Sequence, residues 1–174
     1  MQSGTMTFVK KDLFDPGAHD PLTLVELIAT QKRWANERLS ETEMLVQVQG
    51  AWATYHMYFV WQEKLSALQF CCQFDFRVAN ATKRTDVHAL LSMINERLWL
   101  GHFDLNTDEQ TPMFRHNLLM RSGDQANAQQ IEDVMGIAAA ECDRFYPAFQ
   151  FVLWGNRSPD DAIGAALIHT NGRA

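Results

Sequence analysis

Hydrophobic positions along the chain recur first at helical spacing, then alternate, and then repeat that change. From Pro21 to about residue 34, Leu24, Leu27, Ile28 and Trp34 recur close to the helical period, and Asp20 stands where an N-cap belongs. Met44, Val46 and Val48 then alternate with Glu43, Gln47 and Gln49, although Leu45 breaks the polar row. That is the two-residue repeat of a half-buried strand. Gly50-Ala51 reads as a two-residue turn, setting Gln49 against Trp52, Val48 against Ala53, Val46 against Tyr55 and Met44 against Met57. The second strand then turns Ala53, Tyr55, Met57, Phe59 and Trp61 to the core and Trp52, Thr54, His56, Tyr58 and Val60 away from it. The outer set is more apolar than a solvated face usually is. A loop from Gln62 to Leu65 leads to a third strand, in which Leu68, Phe70, Cys72, Phe74 and Phe76 alternate with Ala67, Gln69, Cys71, Gln73 and Asp75.

From Thr85 the period is helical again, through Val87, Leu90, Leu91, Ile94 and Leu98, with Gly101 where a C-terminal cap belongs. Phe103 and Leu105 then alternate with His102, Asp104 and Asn106, and Phe114, His116, Leu118 and Met120 with Arg115, Asn117 and Arg121, which predicts a second hairpin. After Ser122-Gly123-Asp124 comes a long helical pattern, Ile131, Met135, Ala138, Cys142, Phe145, Phe149 and Val152, with Pro147 inside it. A proline there lacks one donor and crowds the preceding turn, so a kink or break is expected near Asp143 to Tyr146. Ser158-Pro159-Asp160-Asp161 predicts the start of a short last helix. The order α-β-β-β-α-β-β-α-α, with antiparallel hairpins and helices on one face, is an α+β layer with about five strands.

Composition narrows the function classes. The 174 residues, 47% hydrophobic and 21% charged, are enough for one core without disulfides or a structural metal. Fifteen Lys plus Arg against 21 Asp plus Glu, with no basic block, argue against nucleic acid or an anionic membrane surface as partner. The three cysteines, Cys71, Cys72 and Cys142, do not make a disulfide framework and fit a reducing compartment. No apolar run approaches the length of a membrane span, and the first twenty residues lack the apolar stretch of a signal peptide. The expected setting is cytoplasmic.

The run Asn95, Leu98, Gly101, Phe103, Leu105, followed by Phe114 and Arg115, resembles the signature of the YbjN family, described as bacterial sensory transduction regulators. The resemblance extends from about Leu22 to Trp154, and Trp154-Gly155 with Ser158-Pro159-Asp160-Asp161-Ala162 also looks like the tail of family members. It implies a fold like that of the type III secretion chaperones, a homodimer, and no established catalytic residues. On this reading residues 1–20 are an N-terminal extension and 21–170 a single domain.

Candidate chemistry is sparse. With Leu105 opposite Pro112, Arg115 lies across from His102 and diagonal to Asp104, a surface cluster with too few ligands for a metal. His116 falls on the apolar parity of its strand, and no G-x-S-x-G or H-E-x-x-H motif occurs. Neither Cys71 nor Cys72 has a flanking cation to activate it. The glycines punctuate elements and form no phosphate loop. No cofactor, metal or catalytic residue is therefore expected.

What carries function is the doubly apolar second strand. Leu45, Trp52, His56, Tyr58 and Val60 are the candidate partner or dimer interface, since contiguous exposed aromatics mark interfaces. The expected protein is a non-enzymatic, chaperone-like or regulatory homodimer that binds a segment of a partner protein. The alternative is a small-ligand sensor with a pocket between the sheet and helix 85–100.

Overall fold

Asp20 caps the first helix, α1 (Pro21–Gln31), by accepting the Leu22 N–H at 3.2 Å, with Pro21 at the first position, where no donor is needed. This computed structural model describes residues 20–78, 80–120 and 126–171. The expected N-terminal extension, apart from Asp20, and the turn Ser122-Gly123-Asp124 lie outside the described residues. After α1 come β1 (Ala35–Arg38), β2 (Glu43–Gln49), β3 (Thr54–Gln62), a 3-10 turn (Glu63–Leu65) and β4 (Ala67–Gln73). Then follow α2 (Ala81–Asn95), β5 (His102–Leu105), β6 (Pro112–Leu119), α3 (Ala126–Leu153) and α4 (Pro159–Asn171). The strands form one antiparallel sheet in the order β1-β2-β3-β4-β6-β5. The α+β class is as expected, with six strands rather than five.

The extra strand is β1, whose four residues are all exposed and show no apolar alternation. Pairing with β2 makes it a strand, and local pattern does not announce it. Arg38 bonds the N-cap Asp20, tying this edge strand to the start of α1.

One face of the sheet carries the helices. Val46, Tyr55, Met57, Leu68, Phe70, Cys72 and Phe114 are fully buried with Leu22 and Val25 of α1, Leu90 and Ile94 of α2, Phe145 and Phe149 of α3, and Ala162 and Ala166 of α4. Ring pairs run across the sheet, as between Phe59 and Phe70 (4.9 Å between centroids), and from sheet to helix, as between Phe103 and Phe145 (5.9 Å). Burying a large aromatic here contributes roughly 2–3 kcal/mol of transfer free energy. The space between the sheet and the second helix, expected in the ligand-sensor alternative to form a pocket, is packed with Val87, Leu90 and Ile94, each fully buried.

Two sequence expectations fail at one place, for one physical reason. The β2–β3 connection is not a two-residue turn. Gln49 pairs with Thr54, Val48 with Tyr55, Val46 with Met57 and Met44 with Phe59, so residues 50–53 form the loop. The register moves by two, which preserves every residue's face but takes Trp52 out of the strand. The helix expected to break near Asp143 to Tyr146 instead runs unbroken through Pro147. Pro147 has no N–H to give to the carbonyl of Asp143, one helical turn earlier. The indole Nε1–H of Trp52 donates to that carbonyl at 3.0 Å and fills the missing position. The Asp143 carboxylate also accepts from Ala51 N at 2.8 Å and from the Tyr55 hydroxyl at 2.7 Å. Burial first, then the Asp143 hydrogen bond, drives the Tyr55 pKa far up, so Tyr55 stays a donor. Gly50 is needed because a Cβ there would collide with the Tyr55 ring and lie 2.6 Å from Asp143 Oδ1.

Candidate binding surface on the open face of the sheet

Side chains alternate across a strand, so the residues between the buried ones form a second face. Leu45, Tyr58, Cys71, Arg115 and His102 make one continuous cross-strand row, with Glu37 at its β1 end. Beside it run Gln47, His56, Gln73, Met113 and Asp104 on one side and Glu43, Val60, Gln69 and Asn117 on the other. Among the described residues, the helix-packed core contains none of these side chains. Leu45, His56, Tyr58 and Val60, four of the five expected interface residues, therefore sit together here, each half-buried. Trp52 does not. It lies in the 50–53 loop, turned to the helix side and bonded to α3, so its place in the interface is corrected.

Sequence parity placed Gln69, Cys71 and Gln73 on this face but did not single them out, and it missed the contribution of the β5–β6 loop. The Asn106 side chain accepts from the backbone N–H groups of Asp108 (3.0 Å) and Glu109 (3.1 Å) and curls residues 106–111 back. Asn106 and Thr107 thereby wall one side of an open concavity of about 400 Å³, floored by Tyr58, Val60, Cys71 and Met113 with Arg115 and Asp104 on its rim. The Arg115 guanidinium donates to Asp104 Oδ2 at 3.0 Å, realising the expected cross-strand pair. That pair is exposed enough to contribute only about 0.2–1 kcal/mol.

The chemistry of the concavity is quiet. Burial, then the neighbouring Cys72, pushes the Cys71 thiol up to about 11, so at neutral pH it is a small apolar group and not a nucleophile. Burial, then the charge of Glu109, raises the Tyr58 hydroxyl. Among the described residues no group of His, Cys, Asp and Glu could hold a metal ion. His116 lies on the covered side opposite Phe70, its pKa lowered by burial and then by His102.

The signature residues serve the sheet rather than a reaction. Asn95, at the end of α2, donates from Nδ2 to Phe103 O at 3.0 Å and accepts from Phe103 N at 2.7 Å, so a side chain takes the place of a next strand along β5. Gly101 adopts φ +68°, and a Cβ there would strike the Phe114 ring. Phe103, Leu105 and Phe114 are buried beneath it.

Architecture and surface together define an antiparallel sheet backed by helices on one face, with no described helix packed on the other. The family model for YbjN, described as "Putative bacterial sensory transduction regulator", matches residues 21–151. The chain belongs to the YbjN family. It is also similar to a solved structure titled "Crystal structure of YbjN, a putative transcription regulator from E. coli", at 11% identity and TM-score 0.48 over 78% of this chain and 90% of that one. No curated protein matches the chain. No described helix is long and apolar enough to cross a membrane.

Proposed function

We propose that the protein is a non-enzymatic cytoplasmic regulator that acts as a homodimer and binds an extended segment of a partner protein on the open face of its sheet. The observation that carries this reading is the contrast between the two faces. Helices α1, α2 and α3 pack on one, with α4 laid against α2 and α3, while the other presents Leu45, Tyr58, Val60 and Cys71 as a contiguous half-buried strip with a concavity beside it. Contiguous apolar surface of this kind marks an interaction site. An aromatic set among aliphatic neighbours is a common anchor of such sites. The family's regulatory description agrees with a binding role. The quiet chemistry of Cys71 and the absence of a metal-ligand group among the described residues give catalysis no support.

The test is a selection of peptides on the immobilised protein, followed by binding to Tyr58→Ser and Leu45→Ser variants. Selected peptides should bind the variants at least about tenfold more weakly, a difference of about 1.4 kcal/mol. Equal binding to wild type and variants, or no peptide selected, contradicts the open face as the site. Light scattering at micromolar concentration checks the dimer, and a monomer mass there contradicts that part.

A further inference from the structure

The charge around the open face limits what can lie on it. On the described strands of this face the only lysine or arginine is Arg115, and it is already engaged with Asp104 at 3.0 Å. Glu37 lies at the β1 end of the Leu45–Tyr58 row, and Glu43 faces Val60 across β2 and β3. Glu109, on the loop that walls the concavity, is close enough for its charge to act on both Tyr58 and Cys71. All three glutamates are exposed, and none forms an ion pair with a described cation. The surface is thus an apolar strip with unneutralised carboxylates at its margins.

Resting on the partner-binding reading, we infer that the occupant of this face is a basic-apolar polypeptide segment, its aliphatic or aromatic side chains on the Leu45–Tyr58–Val60 strip and its lysines or arginines on Glu37, Glu43 and Glu109. Potentials of opposite sign steer such a segment in and fix its register. The same carboxylates disfavour three other occupants. An acidic segment or a nucleic-acid backbone meets like charge. A second copy placed face to face sets the glutamates of one chain against those of the other, so self-association belongs to another surface.

Fluorescence anisotropy with two short labelled peptides tests this. One alternates lysine with leucine and phenylalanine; the other has glutamate in place of every lysine. The lysine peptide should bind at least about tenfold more tightly. Raising NaCl from about 0.05 M to about 0.5 M should weaken it several-fold. Binding should fall about tenfold in Tyr58→Ser, and the salt dependence should flatten in the triple variant Glu37→Gln, Glu43→Gln, Glu109→Gln. Circular dichroism of each variant confirms that it is folded. Equal affinity for the two peptides overturns the charge assignment and leaves the partner-binding reading standing. Binding of neither peptide to the folded protein removes both, and binding of the lysine peptide that survives Tyr58→Ser places it elsewhere on the acidic surface and overturns the inference.

Discussion

The two faces of this sheet come from the same strands, residue by residue, and differ in what closes over them. On one, Tyr55, Met57 and Phe59 of β3 are fully buried beneath helices; on the other, His56, Tyr58 and Val60 of the same strand are only half-buried. The covered face is where stability resides, because removing apolar area from water is the dominant favourable contribution to folding. The open face, less buried, contributes less to the fold. Substitutions on the two should therefore separate stability from binding.

The largest effect is expected from Phe149→Ala. Phe149 is fully buried against Phe74 and Phe103, and its loss should cost about 3–5 kcal/mol, read by urea unfolding. A cost below about 1 kcal/mol would show that the helix layer is not the stabilising one. Tyr58→Ala is the open-face counterpart and should cost less than about 1 kcal/mol while weakening peptide binding about tenfold.

Next comes the link between loop 50–53 and α3. Trp52→Phe removes the donor to the Asp143 carbonyl and should cost about 1–3 kcal/mol. In a Pro147→Ala background, the restored backbone N–H can serve that carbonyl, so the same substitution should cost measurably less. A double-mutant cycle reads the coupling, and additive effects would contradict the role given to Trp52.

Asn95→Ala should follow, at about 1–3 kcal/mol, because it strips two hydrogen bonds from the β5 edge. Amide exchange at Phe103 should quicken more than in β3, and an unchanged rate would remove the edge-sealing role.

The smallest effect concerns pH. His116 has a folded-state pKa below its ordinary value of 6.5, from burial and then His102. The unfolded chain binds this proton more tightly, so the contribution is fully present above about pH 6.5 and is lost as pH falls through and below it. Between about pH 7.5 and about pH 5.5, wild-type Tm should therefore drop more than that of His116→Gln. Parallel curves would show that His116 does not contribute.

Much of this was legible in the residue pattern, and the failures are instructive. The two-residue period of β2, β3 and β4, though broken at Leu45, assigned their residues to the correct faces, because a two-residue register error leaves faces unchanged. The β5–β6 register, with Leu105 opposite Pro112, was recoverable from the hairpin pattern. β1 was not, since Ala35-Asn36-Glu37-Arg38 carries no apolar signal and becomes a strand only beside β2. Trp52 was misplaced because its partner is 91 residues away, at a carbonyl orphaned by a proline, and no local rule links the two. The walls of the concavity were missed for a related reason: Asn106 and Thr107 reach it through a loop whose path depends on an Asn106 turn.

The most direct test of the open face as a binding surface is amide chemical-shift mapping during titration with the lysine peptide. The account expects shifts concentrated at Leu45, Tyr58, Val60, Gln69 and Cys71, with the amides of α2 and α4 unmoved. Shifts centred on the helix layer, or none at saturating peptide, would contradict it.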